Sequence, residues 1–145
     1  MSRSCITALL LWLTALALPA YAEQKLQVGH YDIHYTALPS TFISPAVAQT
    51  YGIQRSRYLA LVNIVVIDQL KPNNGYTQVE ISGIATNLLE ARFKLKFREI
   101  REGQSIYYLA QLPYRDTEEI HFHLAIKHQD DLNTKLNFSQ QFFND

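Results

Sequence analysis

The sequence predicts an all-β fold: an antiparallel, seven-stranded immunoglobulin-like sandwich with one short helix between its first two strands. Two observations predict it. Apolar and polar residues alternate with period two along successive segments, and turn-forming residues separate those segments at intervals of about 8–14 residues. No internal repeat, low-complexity tract or linker divides the chain, so one domain is expected over residues 23–145.

The elements follow in order. Before the first strand, Arg3, an apolar run from Cys5 to Leu18, Pro19 and the small-x-small triplet Ala20-Tyr21-Ala22 read as a signal peptide over residues 1–22, cut after Ala22. That run is about 14 residues, shorter than the roughly 20 a membrane span requires. Lys25 to Tyr35 is read as the first strand, with Tyr31, Ile33 and Tyr35 on one side and His30, Asp32 and His34 on the other. The helix comes next: Ser44 as N-cap, Pro45 at the first helical position and Gly52 as the left-handed terminator, with Val47 and Tyr51 four apart and aimed at the core. It fits a crossover between sheets. Tyr58 to Asp68, the second strand, is apolar on both faces, so both must be covered, the outer one by the helix or the segment leading to it.

Asn74-Gly75 marks a tight hairpin turn. Gln78 to Leu88 is the third strand, with a bulge at Ser82-Gly83. Arg92 to Ile100 is the fourth, with Phe93, Leu95 and Phe97 inward and a basic stripe of Arg92, Lys94, Lys96 and Arg98 outward, read as a solvated face. Ser105 to Leu112 is the fifth, where Tyr108 belongs to the core and Tyr107 faces outward. In the sixth, Ile120, Phe122, Leu124 and Ile126 point inward; Leu132 to Phe143 is the seventh.

Composition bounds function. Removing Arg3 leaves 12 basic against 13 acidic residues, a balance that argues against a nucleic-acid or polyanion binder. Cys5 is the one cysteine, so the exported domain holds together without disulfides, by hydrophobic burial. No second long apolar segment follows the signal, which gives a periplasmic protein with no transmembrane segment after cleavage.

A series of short strings then carries a family resemblance: His34-Tyr35, Ser40-Thr41-Phe42, Pro45-x-Val47-Ala48, Tyr51-Gly52-Ile53-x-Arg55-Ser56, Leu61-Val62-Asn63-Ile64, Phe97-Arg98-Glu99-Ile100, Ile106-Tyr107-Tyr108-Leu109-Ala110 and Leu136-Asn137-Phe138. In this order, behind a signal peptide, the chain resembles a family of small exported bacterial proteins known as a domain of unknown function. The resemblance implies an envelope address and a compact β-domain and no reaction; His121 and His123 lie outside its pattern.

Three candidate sites emerge. His34, Tyr35, Ser40, Thr41, Tyr51 and Arg55, with Ser56, surround the short helix and form the preferred contact region for an envelope protein or small ligand. His121 and His123, two residues apart on an outward strand face about 7 Å from each other, form a candidate copper or zinc pair, with His30, Asp32 and His34 a second outward set. A serine hydrolase built on Ser40 and His34 is the weakest reading: no G-x-S-x-G context surrounds Ser40, no acid beyond Asp32 is in place, and no catalytic residue is assigned.

Overall fold

The computed structural model describes residues 24–144; the expected signal peptide and its cleavage position lie outside the described residues. Nine strands make two antiparallel sheets: β1 (Lys25–Val28), β2 (Tyr31–Pro39), β3 (Leu59–Asp68), β4 (Glu80–Asn87), β5 (Arg92–Leu95), β6 (Arg98–Glu102), β7 (Ser105–Pro113), β8 (Glu119–His128) and β9 (Leu132–Gln141). One sheet runs β1-β2-β3-β7-β6 and the other β5-β4-β8-β9. The sandwich is as expected; the count of seven is not, because two expected strands each divide.

Lys25 to Tyr35 is a hairpin, not one strand. Gly29 takes φ +57°, and β1 folds back on β2 with Val28 opposite Tyr31. Arg92 to Ile100 divides at Lys96-Phe97, where the chain leaves β4 and joins β7 in the opposite sheet. Alternation conceals such a switch. Both sheets turn their inner faces to the same core, so Phe93, Leu95 and Phe97 keep the inward phase across the crossing. The same switch breaks the basic stripe, with Arg92 and Lys94 on β5 and Arg98 on β6. Five strands over four also departs in detail from the immunoglobulin constant arrangement of four over three.

The main core lies between the sheets. Ala60, Val62, Ile64 and Val66 of β3 face Ile120, Phe122, Leu124 and Ile126 of β8, all buried. Tyr108 joins them, its hydroxyl accepting from the Val79 N–H at 2.8 Å and donating to Glu99 at 2.8 Å. Asn73, Asn74 and Gly75 all adopt positive φ, and the turn closes a short hairpin on the end of β3. The Asp68 N–H donates to the Gly75 carbonyl at 2.8 Å, the Thr77 N–H to the Val66 carbonyl at 2.9 Å, and Ile67 pairs with Tyr76. β4 itself crosses to the other sheet and does not extend the hairpin. Nor is there a bulge at Ser82-Gly83. Pairing of β4 with β8 is unbroken, and Gly83 serves close approach: a Cβ there would lie 2.4 Å from the His123 carbonyl oxygen.

Helix α1 (Pro45–Tyr51) forms as its caps dictate. The Val47 N–H donates to Ser44 Oγ at 3.3 Å, and Gly52 closes the C-terminus at φ +66°. It lies between β2 and β3, the second and third strands. Those strands are neighbours in one sheet, so the helix is an insertion folded over that sheet's outer face and not a crossover. There Ala48 and Ile53 pack on Leu61 and Leu109, forming a second small core.

Candidate functional site

A seven-residue helix cannot hold its own shape, so its cover over the sheet depends on tertiary contacts. Side chains from the connecting loops supply them. Ser40, wholly buried, bonds both backbone groups of Ser56: its hydroxyl donates to the carbonyl at 3.0 Å and accepts the N–H at 2.9 Å. Arg55 Nε donates to the Ile43 carbonyl at 2.7 Å, and a second guanidinium nitrogen to Thr41 at 3.2 Å. From the sheet side, Arg98 donates to the carbonyls of Tyr51 and Gly52 at 3.0 and 3.2 Å, closing the helix end.

Held in this way, the cover does not seal against the sheet. A cleft of about 460 Å³ remains beneath it. Its floor is the outer face of the five-stranded sheet, with Leu38, Leu61, Leu109 and Ile100; its roof is Ile43, Val47, Tyr51 and Ile53. The expectation that Val47 and Tyr51 point together holds, but they point into this groove and not into a closed core, and Val47 is 43% exposed at its mouth. Few polar groups line it. Thr36 and Asn63 are cross-strand partners on the floor. Asn63 Oδ1 is shielded from solvent and has no hydrogen-bond partner. At one end the Tyr51 hydroxyl donates to Glu102, an interaction that raises the tyrosine pKa.

Of the residues expected to form a contact region, Tyr51 lines the groove, and Ser40, Thr41 and Arg55 fasten its roof. Tyr35 turns inward, its ring 4.6 Å from that of Phe138, while His34 occupies the outward phase beside Thr36. Ser40 gives its proton to a backbone carbonyl, not to an imidazole.

His121 and His123 project from the outer face of β8, each anchored through Nδ1: His121 to Ser139 Oγ at 2.8 Å, His123 to Asn137 Oδ1 at 3.0 Å. Glu119 Oε1 lies 3.9 Å from His121 Nε2. Among the described residues, no three His, Cys, Asp or Glu side chains converge as a metal site. His30 and Asp32 separate: Asp32 accepts from Gln69, whereas His30 sits in the β1–β2 turn between Asp68 (Nδ1 to Oδ1, 2.7 Å) and Asp131 (Nε2 to Oδ2, 3.0 Å).

Comparison with known families matches residues 25–145, nearly the whole described chain, to DUF4426, a domain of unknown function. The chain belongs to the DUF4426 family. A crystal structure of a DUF4426 protein from Pseudomonas aeruginosa is 29% identical, with a TM-score of 0.72, and the match covers 85% of this chain and 96% of that one. Two structures of FetP from uropathogenic Escherichia coli also match: a copper-bound variant (TM-score 0.58) and the protein as isolated after expression in the periplasm (TM-score 0.56). Each is 10% identical and covers 83% of this chain, with 95% and 93% of the respective FetP chains matched. At that identity the likeness is one of fold. No curated protein matches. Among the described residues no helix is long and apolar enough to cross a membrane.

Two features of this DUF4426 domain escape a reading by sequence alone. The groove draws on Ile100 and Glu102 of β6, a strand hidden inside a longer alternating run; the outward phase of Tyr107 was the one available signal. The His30 cluster draws Asp68 from the end of β3 and Asp131 from the β8–β9 turn, 38 and 101 residues away, and no local spacing encodes that meeting.

Proposed function

We propose that this DUF4426 protein is an exported periplasmic binding module, without an assigned reaction, that holds a small ligand or a segment of an envelope protein in the groove beneath α1. The signal-like N-terminus supports the address. The observation that carries the function is the groove itself: an apolar cleft of about 460 Å³, kept open by a cover whose serine and arginine contacts are all to backbone. Small-molecule sites fall at roughly 300–1,000 Å³ and are mostly apolar with a few placed polar groups. Wild-type protein should bind the neutral dye Nile red at one site with a fluorescence rise, and Val47→Trp, which fills the mouth, should abolish binding while the melting temperature holds. Equal binding by both proteins would place the dye elsewhere and end the reading.

A second reading is copper or zinc handling by the outward histidines. Glu119, His121 and His123 alternate along one face of β8, and each imidazole is fixed through Nδ1, the outer-shell arrangement that orients Nε2 toward a metal. The copper-bound form of the similarly folded FetP adds support. Under this reading purified protein takes up one equivalent of copper by calorimetry, and His121→Ala with His123→Ala removes it. A wild-type protein indifferent to added copper eliminates it.

A further inference from the structure

We infer that the groove selects an apolar ligand with a cationic amine head, an alkylammonium in its simplest form, over the anionic amphiphile of the same chain length. The inference rests on the groove being the binding site, and it concerns the sign of charge that site accepts.

Among the polar groups of the lining, two acceptors stand out. Glu102 is its charged residue, and Asn63 Oδ1 is a shielded acceptor with nothing donating to it. Of the lining hydroxyls, that of Tyr51 already gives its proton to Glu102. The two guanidinium groups at the roof are both held by backbone carbonyls, Arg55 by those of Ile43 and Thr41 and Arg98 by those of Tyr51 and Gly52, and neither lines the cleft. A carboxylate or phosphate head entering here would meet the like charge of Glu102. An ammonium reverses the sign of that interaction. It brings three N–H donors and a positive charge to the Glu102 end of the cleft. Its chain then lies along Ile100, Leu109 and Leu61. A second N–H on a natural ligand of this class would satisfy Asn63.

The test is calorimetric titration of the full mature chain with decylamine, decanol and decanoate, below their aggregation concentrations, at pH 7 and low salt. Decylamine should bind at one site at least about tenfold more tightly than decanoate, the scale of a single charge-assisted contact. Glu102→Gln, a change on an exposed rim, should weaken decylamine about tenfold and leave decanol unchanged. Decanoate binding as tightly as decylamine, or decylamine indifferent to Glu102→Gln, overturns the charge selection while the groove stands. If none of the three binds and Nile red also fails, the groove reading falls and this inference with it.

Discussion

At the scale of single residues, His30 makes the clearest physical statement in this protein. A neutral imidazole donates from one nitrogen only, whereas both nitrogens of His30 face carboxylate oxygens, so the arrangement is complete only for the imidazolium. The hydrogen bond to Asp68, reinforced by both acidic charges, raises the His30 pKa above its ordinary 6.5. Asp131, hydrogen-bonded by Tyr31 and His30, is lowered from 3.8; Asp68, although burial pushes it up, is also lowered on balance, through the Leu70 N–H and His30. The signs follow from linkage. The histidine's contribution is full below 6.5 and is lost as pH rises through its raised folded value. The aspartates' contributions are full above their ordinary value and are lost as pH falls through their lowered ones. Thermal melts should therefore plateau in mildly acidic buffer and decline as pH rises through neutral into the alkaline range, and His30→Gln should remove that alkaline decline. A wild-type melting temperature flat from neutral to alkaline pH would contradict the assignment. None of this was legible beforehand: alternation placed His30 on an outward face, but its acidic partners arrive from the end of β3 and the distant β8–β9 turn.

At the scale of elements, local chemistry was the most legible part of the chain. Ser44, Pro45 and Gly52 fixed both ends of α1, and the two-sided apolarity of β3 called for the cover that α1 supplies. What local pattern could not specify was where a continuous alternation changes sheet, as between Leu95 and Arg98, because the inner faces of two stacked sheets share one phase. The candidate contact residues show the same division. Ser40, Thr41 and Arg55 were recognisable as a polar cluster around a helix, but whether they touch a ligand or hold the roof depends on a fold-back between residues 40 and 56 that spacing does not reveal. With Ser40→Ala, the Ser56 N–H and carbonyl lose their partner in a buried setting, at about 1–3 kcal/mol. Hydrogen exchange should show amides of residues 44–53 opening at least about tenfold faster, while those of β8 are unchanged. Uniform acceleration across the molecule would mean that the loop is not an independent cover.

Across the whole molecule, the two sheets are joined by a chain of rings. Tyr35 of the five-stranded sheet lies 4.6 Å from Phe138 of the four-stranded one, Phe138 stacks on Phe122 at 4.7 Å and 19°, Phe122 meets Phe142 edge-on at 6.5 Å, and Phe142 stacks with Tyr114 at 4.9 Å. Phe122 is the middle member and is completely buried. The described residues contain no cysteine, so no disulfide among them assists; what keeps the layers together is this packing and the aliphatic rows of β3 and β8 around it. Such ring pairs add about 0.5–1.5 kcal/mol each beyond the area they bury, and truncation of a buried phenylalanine to alanine costs about 3–5 kcal/mol. A domain of this size has only about 5–15 kcal/mol in total. Phe122→Ala should therefore remove about a fifth or more of the stability and lower the urea midpoint, with the unfolding slope unchanged if both sheets still unfold as one unit. Phe122→Leu, which keeps most of the volume, should lose markedly less. Equal losses in the two variants would show that ring stacking, not filled volume, joins the sheets; a loss below about 1 kcal/mol in both would show that the layers are held elsewhere.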